Sequence, residues 1–144
     1  MDILRVTDAR QIYQLLKQFD CVFPHLKEKV DDYGCFAEKL AKYAYVCVGQ
    51  ERKQTCGLLV FYANDDVNKC AYVSLIGVLP QWQGKRVGQQ LLDYCFVESL
   101  HNGMAKIRLE VDLDNHRAIA FYENHGFVRV TPEMVNSMYM ERKL

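Results

Sequence analysis

In the stretch LPQWQGKRVGQQLLDYC, Leu79 to Cys95, two glycines bracket two cations at the point where an apolar run gives way to a helical pattern. Gly84 and Gly88 weaken any regular element they occupy. Their place beside Lys85 and Arg86 therefore marks a close approach of some group to the main chain. The chemistry on offer is anion binding. The first amides of a helix lack an intrahelical acceptor, and the helix dipole favours negative charge at that end. Gln83, Gly84, Lys85, Arg86, Val87, Gly88 and Gln89 would together cradle a pyrophosphate. Other phosphate signatures do not apply: GKRVGQQ lacks the Gly-Lys-Ser/Thr ending of a P-loop, and no Gly-x-Gly-x-x-Gly occurs.

Further residues carry possible proton chemistry. Asn115 and Tyr122 lie two helical turns apart and share a face with Ala118. Asn115 reads equally as a helix cap and as a ligand contact. Arg108, Glu110 and Asp112 alternate away from Ile107, Leu109 and Val111. Glu110 is thus a carboxylate on the non-core face of a strand, open to two readings: a general base, or a solvated or salt-bridged charge. Ser74 is the most polar residue of the apolar run 72–78 and could relay a proton through water. His25, His101, His116 and His125 share no spacing, and the six cysteines stand singly, so no metal site is expected.

Those side chains need a scaffold, and 144 residues suffice for one domain, read as residues 1–144. A formal net charge of zero gives no field for gathering nucleic acid or anionic membrane, and neither partner is expected. The N-terminal MDILRVTDARQ has no apolar signal core. No run approaches the length of a membrane span. Free thiols in a cytoplasmic protein are the expectation.

Along the chain, DILRV reads as a strand. Asp8 opens a helix in which Ile12, Leu15, Leu16 and Phe19 follow amphipathic spacing. Pro24 and Gly34 interrupt the pattern before a second helix, CFAEKLAKYA. Strands at 44–50, 55–63 and 70–80 form a meander. A helix from Val87 to His101 follows, with Leu91, Leu92, Cys95 and Leu100 as its core face and Gly103 at its end. A strand at 105–112, a short helix closed by Gly126, and two final strands complete the order βααβββαβαββ. The strand–helix–strand unit over 70–112 requires a right-handed parallel crossover. The expected class is α/β (α+β), a mixed, mostly antiparallel sheet of about seven strands with helices on both faces.

Two segments in this order resemble the GNAT superfamily of N-acetyltransferases. VLPQWQGKRVGQQLL is similar to its acetyl-CoA segment, a Val-x-Pro strand end followed by Gln/Arg-x-x-Gly-x-Gly/Ala. Gln83 and Gly88 match that pattern, while Arg86 replaces the middle glycine and supplies an amide and charge without glycine's backbone freedom. Asn115, Ala118, Phe121, Tyr122, Gly126 and Phe127 carry the second, Asn-x-x-Ala-x-x-Phe-Tyr-x-x-x-Gly-Phe.

The resemblance implies acetyl-CoA as co-substrate and backbone contacts from Ile76 and Val78 to its pantetheine arm. Gly77 is then a bulge or a close approach. Ala118 and Phe121 become the cofactor wall, and Tyr122 the acid that protonates the departing thiolate. The glutamate many members place on the strand equivalent to 72–78 is absent here. The implied reaction is direct transfer to the primary amine of a small molecule, with an amino sugar the first guess and a monomer or homodimer the expected state. Protein N-termini or lysines are alternative acceptors. A catalytically silent CoA-binding or interaction module is the alternative from another class.

Overall fold

A computed structural model describes residues 1–144. Strand β1 spans Asp2–Arg5. Asp8 then caps helix α1, Ala9–Gln18, by accepting the Arg10 N–H. A single turn α2, Leu26–Lys29, adds one helix to the expected order. Helix α3 spans Tyr33–Tyr43 and starts two residues earlier than expected. The Asp32 carboxylate explains this, because it accepts the amides of Gly34 and Cys35 at 2.8 and 3.3 Å. Gly34 therefore sits in the capped first turn of α3 and does not break it.

Strands β2 (Tyr45–Glu51) and β3 (Gln54–Tyr62) are joined by a turn whose central residues, Arg52 and Lys53, both have positive φ. That hand matches the twist of the flanking strands. Strand β4 spans Cys70–Val78, followed by a 3-10 turn at Pro80–Trp82. Helix α4 (Val87–His101), β5 (Lys106–Asp112), α5 (His116–Asn124), β6 (Val128–Val130) and β7 (Ser137–Lys143) complete the chain. The buried stripe of α4 runs through Leu91, Cys95 and Ser99. Leu100 falls on its margin and is 51% exposed, so it is not the core residue its spacing suggested.

All seven strands form one sheet in the order β1-β2-β3-β4-β5-β7-β6. β4 and β5 are parallel and every other pair is antiparallel. Helices cover both faces, as expected. Leu59 and Phe61 of β3 join the layer under α4 and α5, while Leu58 and Val60 join the layer under α1 and α3. β3 is thus buried on both sides, which accounts for its continuous apolar sequence.

Two irregularities in β4 shape everything nearby. Val60 pairs with Leu75 and Phe61 with Val73, leaving Ser74 as the extra residue of a bulge. The bulge flips the side-chain alternation: Val73 faces the α4–α5 layer, and so do Ile76 and Val78, while Leu75 turns to the other. The irregularity expected at Gly77 therefore lies at Ser74. Gly77 serves close approach instead, since a Cβ there would stand 2.6 Å from Val22 and 2.7 Å from Phe23. Its bare backbone lets the segment between α1 and α2 lie flat on β4.

Gly77→Ala is expected to cost about 1–3 kcal/mol, the usual range for overpacking a filled interior. Chemical denaturation measures this, and an unchanged midpoint would show that Val22 and Phe23 move freely.

Candidate functional site

The parallel pairing of β4 and β5 runs from Cys70↔Lys106 to Val73↔Leu109 and stops. Beyond it the strands part. The Leu79 N–H donates to the Cys56 carbonyl at 2.9 Å, so Leu79 faces β3. Antiparallel alternation then turns the N–H and C=O of Ile76 and Val78 away from β3, into the gap. The Gln83 side-chain amide already donates to the Val78 carbonyl at 3.2 Å.

A groove of about 450 Å³ occupies this opening. Ile76, Gly77 and Val78 form one wall; Asn115, Ala118, Phe121 and Tyr122 of α5 form the other. At its end lies the β4–α4 junction. The first bond of α4 runs from the Gln90 N–H to the Arg86 carbonyl, and no acceptor takes the N–H of any residue from Gly84 to Gln89. The junction thus leaves six successive amides for a ligand or solvent.

Its details differ from the expectation at two residues. Arg86 does adopt glycine's conformation, with φ 64°, and Gly84 does so at φ 78°. A left-handed arginine costs roughly 1–2 kcal/mol. Lys85 turns its ammonium over the Trp82 ring, 5.0 Å from the centroid, and its side chain is not part of the groove. Gly88 has room for a methyl within the protein, since a Cβ would lie 3.5 Å from Phe121 and 3.8 Å from Val78, ordinary contacts.

Tyr122 is half-buried, packed edge-on against Phe121 and Phe127. Burial pushes its phenol up to about 12. Tyr122 lines the groove, and its hydroxyl makes no hydrogen bond within the protein. The Asn115 side chain accepts the Ala118 N–H at 3.2 Å, which makes it a cap, and the same residue lines the groove. Both readings of it are compatible with its position. Trp82, Arg117, His125 and Val22 also line the groove. Arg117 was readable as a cation in the first turn of α5; the others arrive through tertiary packing alone.

Ser74 and Glu110 do not enter this groove. They line a second cavity, about 570 Å³, on the α1–α3 side of the sheet, which adjoins the groove at Val22 and Asn115. Arg108 is consumed by Glu141, its guanidinium donating at 2.6 Å. Glu110 has no cation; its carboxylate accepts the Ser137 hydroxyl at 2.6 Å. Burial, and then the charge of Glu110, push the nearby Tyr72 phenol up to about 12. The structure therefore separates the sequence candidates into two groups on opposite faces of one gap.

Residues 9–127 match the family model described as Acetyltransferase (GNAT) family. The chain is 40% identical over 53 residues to the mycothiol acetyltransferase of Jonesia denitrificans, covering 37% of this chain and 17% of that protein. It is 23% identical over 101 residues to N-alpha-acetyltransferase 30 of Schizosaccharomyces pombe, covering 67% of this chain and 65% of the other. The matches thus span less than two thirds of either curated relative. Among solved structures, the PaiA N-acetyltransferase of Thermoplasma acidophilum in complex with coenzyme A superposes with a TM-score of 0.76 over 100% of both chains at 16% identity. That likeness is one of fold.

Arg86→Gly is expected to raise stability by about 0.5–1 kcal/mol, because relief of the left-handed strain exceeds glycine's entropic cost in the unfolded chain. Thermal or urea unfolding reads the change, and a loss of stability would mean that the guanidinium makes a compensating contact.

Proposed function

Because the chain belongs to the acetyltransferase (GNAT) family, we propose that it moves the acetyl group of acetyl-CoA to the primary amine of a small acceptor by direct attack. The observation that carries this reading is the pairing of six unpartnered amides, Gly84 to Gln89, with a groove that Tyr122 lines. Acetyl-CoA, when bound, supplies a thioester whose acyl carbon a neutral amine can attack. Its size and charge fit the groups present: an anion cradle at one end, and the main-chain groups of Ile76 and the N–H of Val78 turned into the gap beside the channel.

In this reading Gly84 to Gln89 and the Arg86 guanidinium hold the pyrophosphate. Ile76 and Val78 hold the pantetheine amides. The Ile76 N–H also faces the negative charge that develops on the acetyl oxygen, a donor worth a few kcal/mol in a dry site. Glu110 removes the amine proton from the opposite side of the sheet, with Ser74 positioned to hold a relaying water.

Tyr122 serves the leaving sulfur. Its phenol, pushed up to about 12, stays protonated across the working range. It is then a weaker acid than a thiol by roughly three to four units. Complete transfer to a free thiolate is uphill, so its contribution is a hydrogen bond to the sulfur while charge builds. The second cavity combines apolar side chains with the carboxylates of Glu110, Asp112 and Asp114, the polar groups of Tyr72, Ser74, Asn115 and His25, and the Lys29 ammonium. The three carboxylates favour a cationic amine as the acceptor.

Tyr122→Phe keeps the ring and removes the hydroxyl. Turnover is expected to fall roughly 10²-fold, the lower end of general acid catalysis, with little change in acetyl-CoA affinity. The wild-type rate should show no alkaline decline through pH 10 that the variant abolishes, since the group loses its proton only near 12. Near-normal turnover by thiol release would remove Tyr122 from the mechanism. Gly88→Ala places a methyl in the groove without a clash inside the protein. Acetyl-CoA affinity should drop about tenfold, equivalent to about 1.4 kcal/mol; unchanged affinity in calorimetry would move the pyrophosphate elsewhere.

A further inference from the structure

We propose that Val22 sets the length of the acyl chain this protein transfers, by closing the space beside the acyl carbon to anything longer than a methyl group. The inference rests on the acetyl-transfer reading above and concerns the acyl end of the same site.

In that reading the thioester comes from the groove and the amine from the second cavity, so the reacting carbon lies where the two meet. On β4 the lining passes from one to the other between Leu75 and Ile76. Val22 and Asn115 are the residues common to both linings. Asn115 is exposed and polar, its side-chain oxygen committed to the Ala118 N–H. Val22 is half-buried and packs with the apolar layer under α1 and α3. It is therefore the apolar surface against which an acyl methyl can rest.

Val22 is also held in place. A Cβ on Gly77 would stand 2.6 Å from Cγ1 of Val22, so that methyl lies directly on bare main chain next to Ile76. The Val22 N–H donates to the Phe19 carbonyl at 2.9 Å. Two residues earlier, the Asp20 carboxylate takes the Tyr33 hydroxyl and the Lys27 ammonium, each at 2.8 Å, which ties the segment at both ends. A β-branched side chain on a fixed main chain has few rotamers open to it. Whatever the acyl group, the C–N bond forms, the C–S bond breaks, the amine gives up one proton and coenzyme A leaves as the thiol; chain length alters the fit alone. An added methylene has two ways to go. Toward Val22 the space is filled. Into the second cavity it takes the place of the amine.

Initial rates of thiol release test this with acetyl-, propionyl- and butyryl-CoA, each against n-butylamine, glucosamine, lysine and trialanine. With the amine that acetyl-CoA acylates fastest, wild-type kcat/KM should fall about tenfold from acetyl to propionyl and about a hundredfold to butyryl, the order expected of one and two methylenes too many in an apolar pocket. Val22→Ala removes two methyl groups. It should bring propionyl-CoA level with acetyl-CoA and raise the butyryl-to-acetyl ratio about tenfold. Phe23→Leu loosens the same seat on Gly77 from outside the groove and should leave both ratios as in wild type. Ratios taken on one sample do not depend on the fraction folded. Equal use of the three thioesters by wild type, ratios unmoved in Val22→Ala, or the same rise in Phe23→Leu overturns the role of Val22 and leaves acetyl transfer standing. No thiol release from acetyl-CoA with any of the four amines overturns both.

Discussion

The site depends on one missing set of hydrogen bonds. Four residue pairs hold β4 to β5, and past Val73 and Leu109 the two strands go separate ways. Buried main-chain groups must find partners somewhere, so a sheet that opens in its middle either takes in solvent or is made for a ligand. Here the opening has a cause on each side. The bulge at Ser74 turns β4 out of register with β3. On the other side β5 keeps its pairing with β7 as far as Asp112. β4 follows one neighbour and β5 the other, and the gap is what remains.

The gap has two mouths because the sheet has two faces. The flip in alternation at Ser74 presents Ile76 and Val78 to the α4–α5 side, where the free amides of the β4–α4 junction and Tyr122 lie. On β5 the unbroken alternation presents Glu110 and Asp112 to the other side, under the segment that rests on Gly77. An acyl donor and an amine can thus approach the same point from opposite faces without competing for the same wall. In the proposed reaction this replaces any need for an acyl-enzyme, and no cysteine is called upon. Cys47 and Cys95 are buried, and burial drives their thiols up to about 11 and about 12, far from reactive thiolates.

Much of this was legible in the residues. Strand and helix order follows from periodicity, from the caps at Asp8 and Asn115 and from the positive-φ glycines at 103 and 126. The free amides at the start of α4 follow from Gly84 and Gly88 before a helix, and the family from two motifs in the right order. What sequence could not show depends on contacts between distant segments. Lys85 looked like a phosphate ligand because it follows Gly84; the Trp82 ring turns it away. Gly34 looked like a breaker because the reach of the Asp32 carboxylate is a matter of geometry. The bulge fell at Ser74 and not at Gly77 because register is set by β3, and the role of Gly77 is set by Val22, fifty-five positions away.

Arg86 shows how local strain and ligand recognition are joined. The chain must turn from the 3-10 segment into α4 with its amides aimed at the groove, and two left-handed residues, Gly84 and Arg86, make that turn. At the first, glycine removes the cost. At the second, arginine bears it, which is the kind of strain that persists where surrounding structure over-determines a conformation. Val87, buried directly after it, supplies that constraint by anchoring the start of α4 in the core. Arginine carries what glycine lacks, a formal charge on a residue that lines the groove beside six free amides. With Lys85 drawn off to Trp82, Arg86 is the formal positive charge left in the cradle from the GKR triplet. Glycine at this position would relax the backbone and remove the charge that Arg86 brings to the groove. The departure from the family's glycine exchanges some folding stability for charge at the place where the proposed ligand is most anionic.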